Sequence, residues 1–494
     1  MTYEIVVVGG GIGGLTVAAL LAARGANVCL LEREAMLGGC AAPFEKFGYT
    51  FEQGAGLYSS WQPNEIHARV FSELPVEPPE ARPLNPAYIV RLPDNSQVRV
   101  SEDRLEFEDS LRAAFPECSE SAIQVFRQLD SVGLSISAAL KRVPELISAG
   151  CVKRTRAFLP DPLTAGRIVR LSKQTVGQQL ERTSFRFRRF LDLQLQELAQ
   201  ASSEDCSYLH ASVVLSQIRK GAFSIRGGVP ALAEKLAEAL RRSGGTIRLN
   251  APVLRLTYGS DRTANGVTLL SGESINASRA IISNMTIWDT YGKLIGLDHT
   301  PLSLRKILQK LTGWGAYLLF LAIDEAAAKR LPAEHIFALT EWLEDQQYDP
   351  QKSQLIFSVA PEWNPRAPTG RRAVTVHTFT NVEDWFAFHE GETEYETQDQ
   401  LALEAWWTRL HDALPELGGE VEIIDTATPR TLYDLTRRKL GMVGGMRLRS
   451  EELGLLSHRT VLPNVFMVGD TTLPASGIAG VTLSGLIVAN LLTR

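Results

Sequence analysis

The feature that most restricts the fold is a buried strand that runs straight into a glycine turn. Ile5-Val6-Val7-Val8 is an unbroken branched run, and Gly9-Gly10-Gly11-Ile12-Gly13-Gly14 follows with no linker. Such a run reads as a strand covered on both faces, which belongs in a parallel sheet. Gly9, Gly11 and Gly14 stand in the G-x-G-x-x-G register, with Gly13 between them. The first makes the tight turn, the second lets backbone approach a pyrophosphate, and the third lets helix pack on strand. A helix rich in Ala and Leu is expected from Ile12 to about Arg24, stopped by Gly25. A second buried strand, Asn27 to Leu31, ends in Glu32, followed by Arg33. An acid roughly 20 residues past the last glycine is where a ribose 2'-OH is held. Its charge argues against a 2'-phosphate. The pattern defines a dinucleotide site.

A chain of 494 residues exceeds what one core supports, so two domains are expected. With 45% hydrophobic residues, 22% charged residues and a net charge of -5, no basic module points to nucleic acid as a partner. The cysteines, Cys29, Cys40, Cys118, Cys151 and Cys206, are odd in number and form no C-x-x-C pair. No metal site or disulfide framework is supported, and a reducing compartment is the simplest context. The first strand starts almost at once, leaving no room for a signal peptide. No apolar run reaches the ~18 residues of a spanning helix. The expected location is cytoplasmic.

Further along, residues 57–87 read as loop, and Tyr88 to Leu92 with Gln97 to Val100 read as a hairpin. Ser119 to Leu146 is helical in pattern. Between Cys151 and Phe190, Lys153, Arg154, Arg156, Arg167, Arg170, Lys173, Arg182, Arg186, Arg188 and Arg189 outnumber acids and alternate with apolar residues. Two readings stand: solvated helix faces, or a surface resting on an anionic bilayer. Pro230 suits the first turn of a helix ended by Gly244-Gly245, and Val253 lies in the strand after Asn250. Residues 301–425 read as a second domain, with strands at Ala316 to Ile323, Gln354 to Val359 and Ala373 to Thr380. Asn464 to Gly469-Asp470 is a strand ending in a turn. Ile478-Ala479-Gly480-Val481-Thr482 then opens a final helix.

Gly9 to Leu15, Glu32 to Gly39, Gly227-Gly228, Pro429 to Thr431, Gly441 to Gly445 and Val468 to Gly485 together resemble the FAD-dependent carotenoid desaturase and isomerase family. The similarity extends over nearly the whole chain. Within the family, Phe190 to Leu195 and Gly227 to Leu240 look most like C-3',4' carotenoid desaturases. The resemblance implies an α/β fold of amine oxidase and phytoene desaturase type. A discontinuous Rossmann-like FAD-binding domain (1–75, 215–295, 429–494) would accompany an α+β substrate domain (76–214, 296–428). It also implies non-covalent FAD, since no cysteine stands near the C-terminus. The loop with Gly38-Gly39 would fold back over the cofactor, and the backbone of Val253 would bond adenine. Asp470 would bond the ribityl chain. The helix start at Gly480, Val481 and Thr482 would face the pyrophosphate and flavin. One departure is Phe51-Glu52-Gln53-Gly54, where the family usually shows Phe-Asp-x-Gly.

The implied activity is oxidation of a carotenoid or similar apolar polyene, most simply desaturation by hydride transfer to flavin N5. The cofactor does the difficult step and the protein supplies a dry apolar slot. No catalytic base is identified, and a quinone or oxygen would accept the electrons. A forty-carbon polyene exposes on the order of 700 Å², so leaving lipid for water costs roughly 17 kcal/mol. Peripheral contact with the cytoplasmic face of a membrane follows. Three rivals remain: a flavin-dependent carotenoid cis-trans isomerase, an amine or porphyrinogen oxidase, and a non-enzymatic prenyl-protein escort of the same fold.

Overall fold

The computed structural model describes every residue except 55, 144–161, 261–262, 345, 387–391, 420, 447–456, 474–476 and 494. Thr2–Val8 is a strand, buried from Ile5 onward as its branched run requires. It pairs in parallel with Val28–Leu31 on one side and Ser274–Ser283 on the other. Thr246–Arg248 extends the sheet beyond the first neighbour and Val465–Met467 beyond the second, both in parallel. An antiparallel hairpin, Val253–Tyr258 with Ala264–Leu269, joins the early part of Ser274–Ser283. Helices Ile12–Ala23, Gly228–Arg242 and Gly477–Leu492 pack together in the core on one face. The first and last of these cross closely. A Cβ at Gly485 would lie 2.9 Å from the Gly13 carbonyl oxygen and 2.9 Å from Thr16 Cβ.

The second sheet runs Val421–Ala427, Gly315–Asp324, Arg371–Thr380, Gln354–Val359, His335–Leu339, Tyr88–Arg91, Gln97–Val100. The expected hairpin at 88–100 thus joins strands some 240 residues later in the chain, pairing Ile89 with Ile336. One face carries Tyr317, Leu319, Leu321 and Phe357, packed with Trp406 and Leu410 of helix Glu392–Ala413. Phe337 and Ile356, on the other face, pack with helix Phe185–Ala199. Sequence pattern does not mark His335–Leu339 or Val421–Ala427. The latter is an edge strand with a mixed burial pattern, so it carries no continuous apolar run.

Two expectations are corrected. Residues 57–87 are not simply loop: they contain helix Ile66–Phe71, and strands Tyr58–Ser59 and Ala81–Leu84, which both pair with Ala222–Ile225. Pro83 is tolerated because Ala81–Leu84 is an edge strand. The basic stretch is also not one solvated face. Arg189 is buried, pairs with Asp192 at 2.9 Å and donates to the Trp342 carbonyl at 3.3 Å. Arg186 is paired with Asp94 and Glu117, while Phe187 and Phe190 are core. Lys153, Arg154 and Arg156 lie outside the described residues. No helix among the described residues is long and apolar enough to cross a membrane.

Burial holds three histidines neutral. It lowers the pKa of His67 to about 3, and those of His210 and His458 to about 4. Both ring nitrogens of His67 lack a partner, and its ring stacks on Trp61 at 4.4 Å. Unfolded, each would titrate near 6.5. Below that pH the unfolded chain binds protons the native one refuses, so stability falls with acidification. The expected slope is roughly 1.4 kcal/mol per pH unit for each histidine, read from denaturant midpoints. His67→Leu should flatten it, and an unchanged slope would contradict the assignment.

Candidate functional site

The glycine turn sits at the C-terminal edge of the parallel strands, the usual ligand position in open α/β sheets. Gly9 takes φ +102°, and its N–H bonds the Leu31 carbonyl at 2.8 Å. A Cβ on Gly14 would lie 2.2 Å from the Gly9 carbonyl oxygen, which no side chain could accept. Gly38 donates to the Gly10 carbonyl at 2.9 Å, and a Cβ on Gly39 would come 3.2 Å from Gly11 Cα. The second glycine pair is therefore layered directly on the first. Glu32 lies under the same turn, accepting from Gly10 N–H at 2.6 Å and Glu34 N–H at 2.9 Å.

The two ends of the chain meet here through Asn284. Its N–H bonds the Val8 carbonyl at 2.8 Å, and its amide donates to the Val468 carbonyl at 3.1 Å. A Cβ on Gly11 would fall 2.7 Å from Asn284 Oδ1, and one on Gly469 2.8 Å from its Nδ2. A Cβ on Gly13 would sit 3.2 Å from Gly469 N. Asn284 directly follows strand Ser274–Ser283, and nothing in the sequence marks it as the joint. Asp470 pairs with Arg438 at 3.0 Å. Arg438 also donates to the carbonyls of Met442 at 2.8 Å and Gly444 at 2.7 Å. Burial works against the Arg438 charge, but Asp470 overcomes it and the pKa is raised. Burial raises that of the neighbouring Cys40 thiol. Arg438 lies between the two runs, Pro429 to Thr431 and Gly441 to Gly445, that carry the family resemblance, and its role is not legible in either.

Other expected positions are more peripheral to this junction. Gly480, Val481 and Thr482 occupy the first two turns of helix Gly477–Leu492, where Thr482 Oγ1 donates to the Ile478 carbonyl at 2.8 Å. Val253 opens its strand just after Ala251, whose N–H bonds the Glu32 carbonyl at 2.8 Å. Arg33 pairs with Glu34 and reaches the Leu435 carbonyl at 3.4 Å.

A small crevice lies between strands Tyr58–Ser59 and Ala222–Ile225 and the second sheet, lined by Glu52, Tyr58, Ser224, His335, Arg366 and Thr375 among others. Its lining is largely polar. Glu52, the departure from the family pattern, anchors it. Its carboxylate pairs with Arg366 at 2.6 Å and accepts from Tyr58 O–H and from Val229 N–H at 3.1 Å. Thr375 donates to the Glu52 carbonyl at 2.9 Å, tying the loop to the second sheet. A Cβ on Gly228 would meet Glu52 Oε1 at 2.3 Å, so the longer acid is accommodated by a missing side chain opposite.

This geometry is that of a nucleotide-dependent oxidoreductase of the two-domain flavoprotein class, and the comparisons agree. The family of flavin containing amine oxidoreductases matches residues 12–493. The chain is 27% identical over 509 residues to the chloroplastic prolycopene isomerase of Arabidopsis thaliana, covering 99% of this chain and 82% of that protein. It is 26% identical over 532 residues to all-trans-retinol 13,14-reductase of Danio rerio, covering 99% and 86%. An oxidoreductase from Methanosarcina mazei superposes with a TM-score of 0.66 at 16% identity, covering 99% of this chain and 100% of that one. The chain belongs to the flavin containing amine oxidoreductase family, and its cofactor is FAD.

The cradle fits such a group, since Gly10, Gly11, Gly13 and Gly14 are all positions where a Cβ would meet a neighbour within 3.1 Å. Gly14→Val should therefore be purified without the yellow flavin absorbance. Asn284→Ala should fold but hold less flavin per chain. Wild-type flavin content in both variants would rule out the junction as the cofactor cradle.

Proposed function

We propose that this flavoenzyme oxidises a carotenoid or similar apolar polyene, most simply by desaturation of the C-3',4' type. What carries the reading is similarity along 99% of the chain to proteins named for two conjugated polyenes, prolycopene and retinol. FAD, when bound, supplies a two-electron acceptor at flavin N5. The N–H groups of Gly11, Gly13 and Gly14, at the start of a helix, hold the pyrophosphate. Glu32 takes the ribose hydroxyls, with Gly9, Arg33, Gly38 and Gly39 closing the turn around it. Asp470, fixed by Arg438 and preceded by Gly469, bonds the ribityl chain. Gly480, Val481 and Thr482 bring the positive end of the last helix towards the flavin. Val253 offers its backbone to adenine. In this reading an FAD-binding domain (1–75, 215–295, 429–494) accompanies a substrate domain (76–214, 296–428).

A long polyene stays in lipid unless delivered directly, so peripheral membrane contact belongs to this reading. Arg170, Lys173 and Arg182, with Val169 at 68% exposure, are the part of the basic stretch left facing solvent. A quinone or oxygen takes the electrons afterwards. Cis-trans isomerisation is a second reading, supported by the isomerase name of the plant relatives. Product mass separates them. The purified protein, offered acyclic carotenoids in liposomes, should return a product lighter by two hydrogens. A rearranged product of unchanged mass would replace desaturation by isomerisation, and no conversion would remove the polyene reading.

A further inference from the structure

The reaction proposed above removes a hydride and a proton, and no residue named so far receives the proton. One buried pair is built for that task. His377 stands on strand Arg371–Thr380, and its Nε2 lies 3.0 Å from Glu197 Oε2. Glu197 projects from helix Phe185–Ala199, and the two side chains are only 7% and 11% exposed. The other ring nitrogen, His377 Nδ1, is buried and has no hydrogen-bond partner. A carboxylate on Nε2–H fixes the tautomer and leaves a lone pair on Nδ1. A general base oriented by an acid has this construction.

Placement supports the role. Alternation along the strand puts His377 on the same face as Ala373 and Thr375, which line the cleft. On the other side, Gln200 follows Glu197 by less than one helical turn and donates to the Val443 carbonyl at 3.2 Å. Gly445, two residues on, is packed against Asp470: a Cβ there would lie 3.1 Å from its carbonyl oxygen. The pair thus lies two residues along the strand from the cleft lining, and Gln200 links its helix to the 443–445 loop beside Asp470. Phe379 meets the His377 ring edge-on at 6.1 Å and tilts against Trp314 at 6.1 Å, which supplies apolar wall.

We infer that His377, oriented by Glu197, is the base that takes the proton from the polyene. This rests on the polyene reading above. FAD, when bound, would supply the two-electron acceptor for the hydride of one carbon, with a quinone or oxygen as the final oxidant. The neighbouring carbon loses H⁺ to His377 Nδ1, and that C–H electron pair becomes the new double bond.

The test is anaerobic bleaching of the flavin by an acyclic carotenoid in liposomes, followed in the holoenzyme. His377→Gln retains a hydrogen bond to Glu197 but accepts no proton, so it should fold, hold FAD and bleach roughly 10²–10⁴-fold more slowly. Glu197→Gln should also slow bleaching, through loss of the tautomer. In His377→Ala, added imidazole should restore part of the rate without raising the melting temperature, which a structural role would not allow. Bleaching of His377→Gln at the wild-type rate overturns the proposal, as does a slowed variant that imidazole fails to rescue in His377→Ala. A wild type that no carotenoid bleaches sinks the substrate reading itself, and the base with it.

Discussion

The rest of the structure depends on how closely three stretches of backbone approach at the end of the first strand. A Cβ on Gly9, Gly11, Gly13, Gly14 or Gly469 would meet Asn284, and one on Gly39 would meet Gly11. Side chains at these positions would force the layers apart. Asn284 bonds to the carbonyls of Val8 and Val468 and so holds the beginning and end of the polypeptide in register. The parallel sheet and its covering helices follow from this, because the strands that carry these turns must lie side by side.

A second constraint acts on one face of the second sheet. Apolar clusters pack there, with Tyr49 and Phe51 against Phe320 and helix Phe185–Ala199 against Ile356. Between them runs a polar seam: Glu52 with Arg366 and Tyr58, His335 with Ser358 at 3.1 Å, and His377 with Glu197. Charges enclosed in this way are tolerated only when paired. The seam differs from a uniformly greasy slot, and it places hydrogen-bonding chemistry beside an interface where a hydrocarbon is proposed to react.

Much of the nucleotide half was legible because its signals are local. A branched run, glycines in register and an acid at the end of the next strand all lie within Ile5 to Glu32. The helix at Glu325–Arg330 and the strand at Gln354–Val359 likewise follow from short-range pattern. Edge strands such as Val421–Ala427 were not legible, since half-exposed positions break the apolar run. The basic stretch misled in part because charge counts do not reveal partners. Arg189 reads as a surface residue until Asp192 and the carbonyls of another loop are brought to it.

The sequence alone determined the cofactor-binding turn, the class of fold and the family, because those rest on residues adjacent in the chain or on motifs whose spacing is set by backbone geometry. Only the tertiary structure decided that Asn284 is the joint, that Arg438 anchors Asp470, that Glu52 meets Arg366 in the cleft and that His377 meets Glu197. Those pairings join residues up to about 300 positions apart. Their energy comes from desolvation and mutual hydrogen bonding, which exist only once these distant segments have packed together.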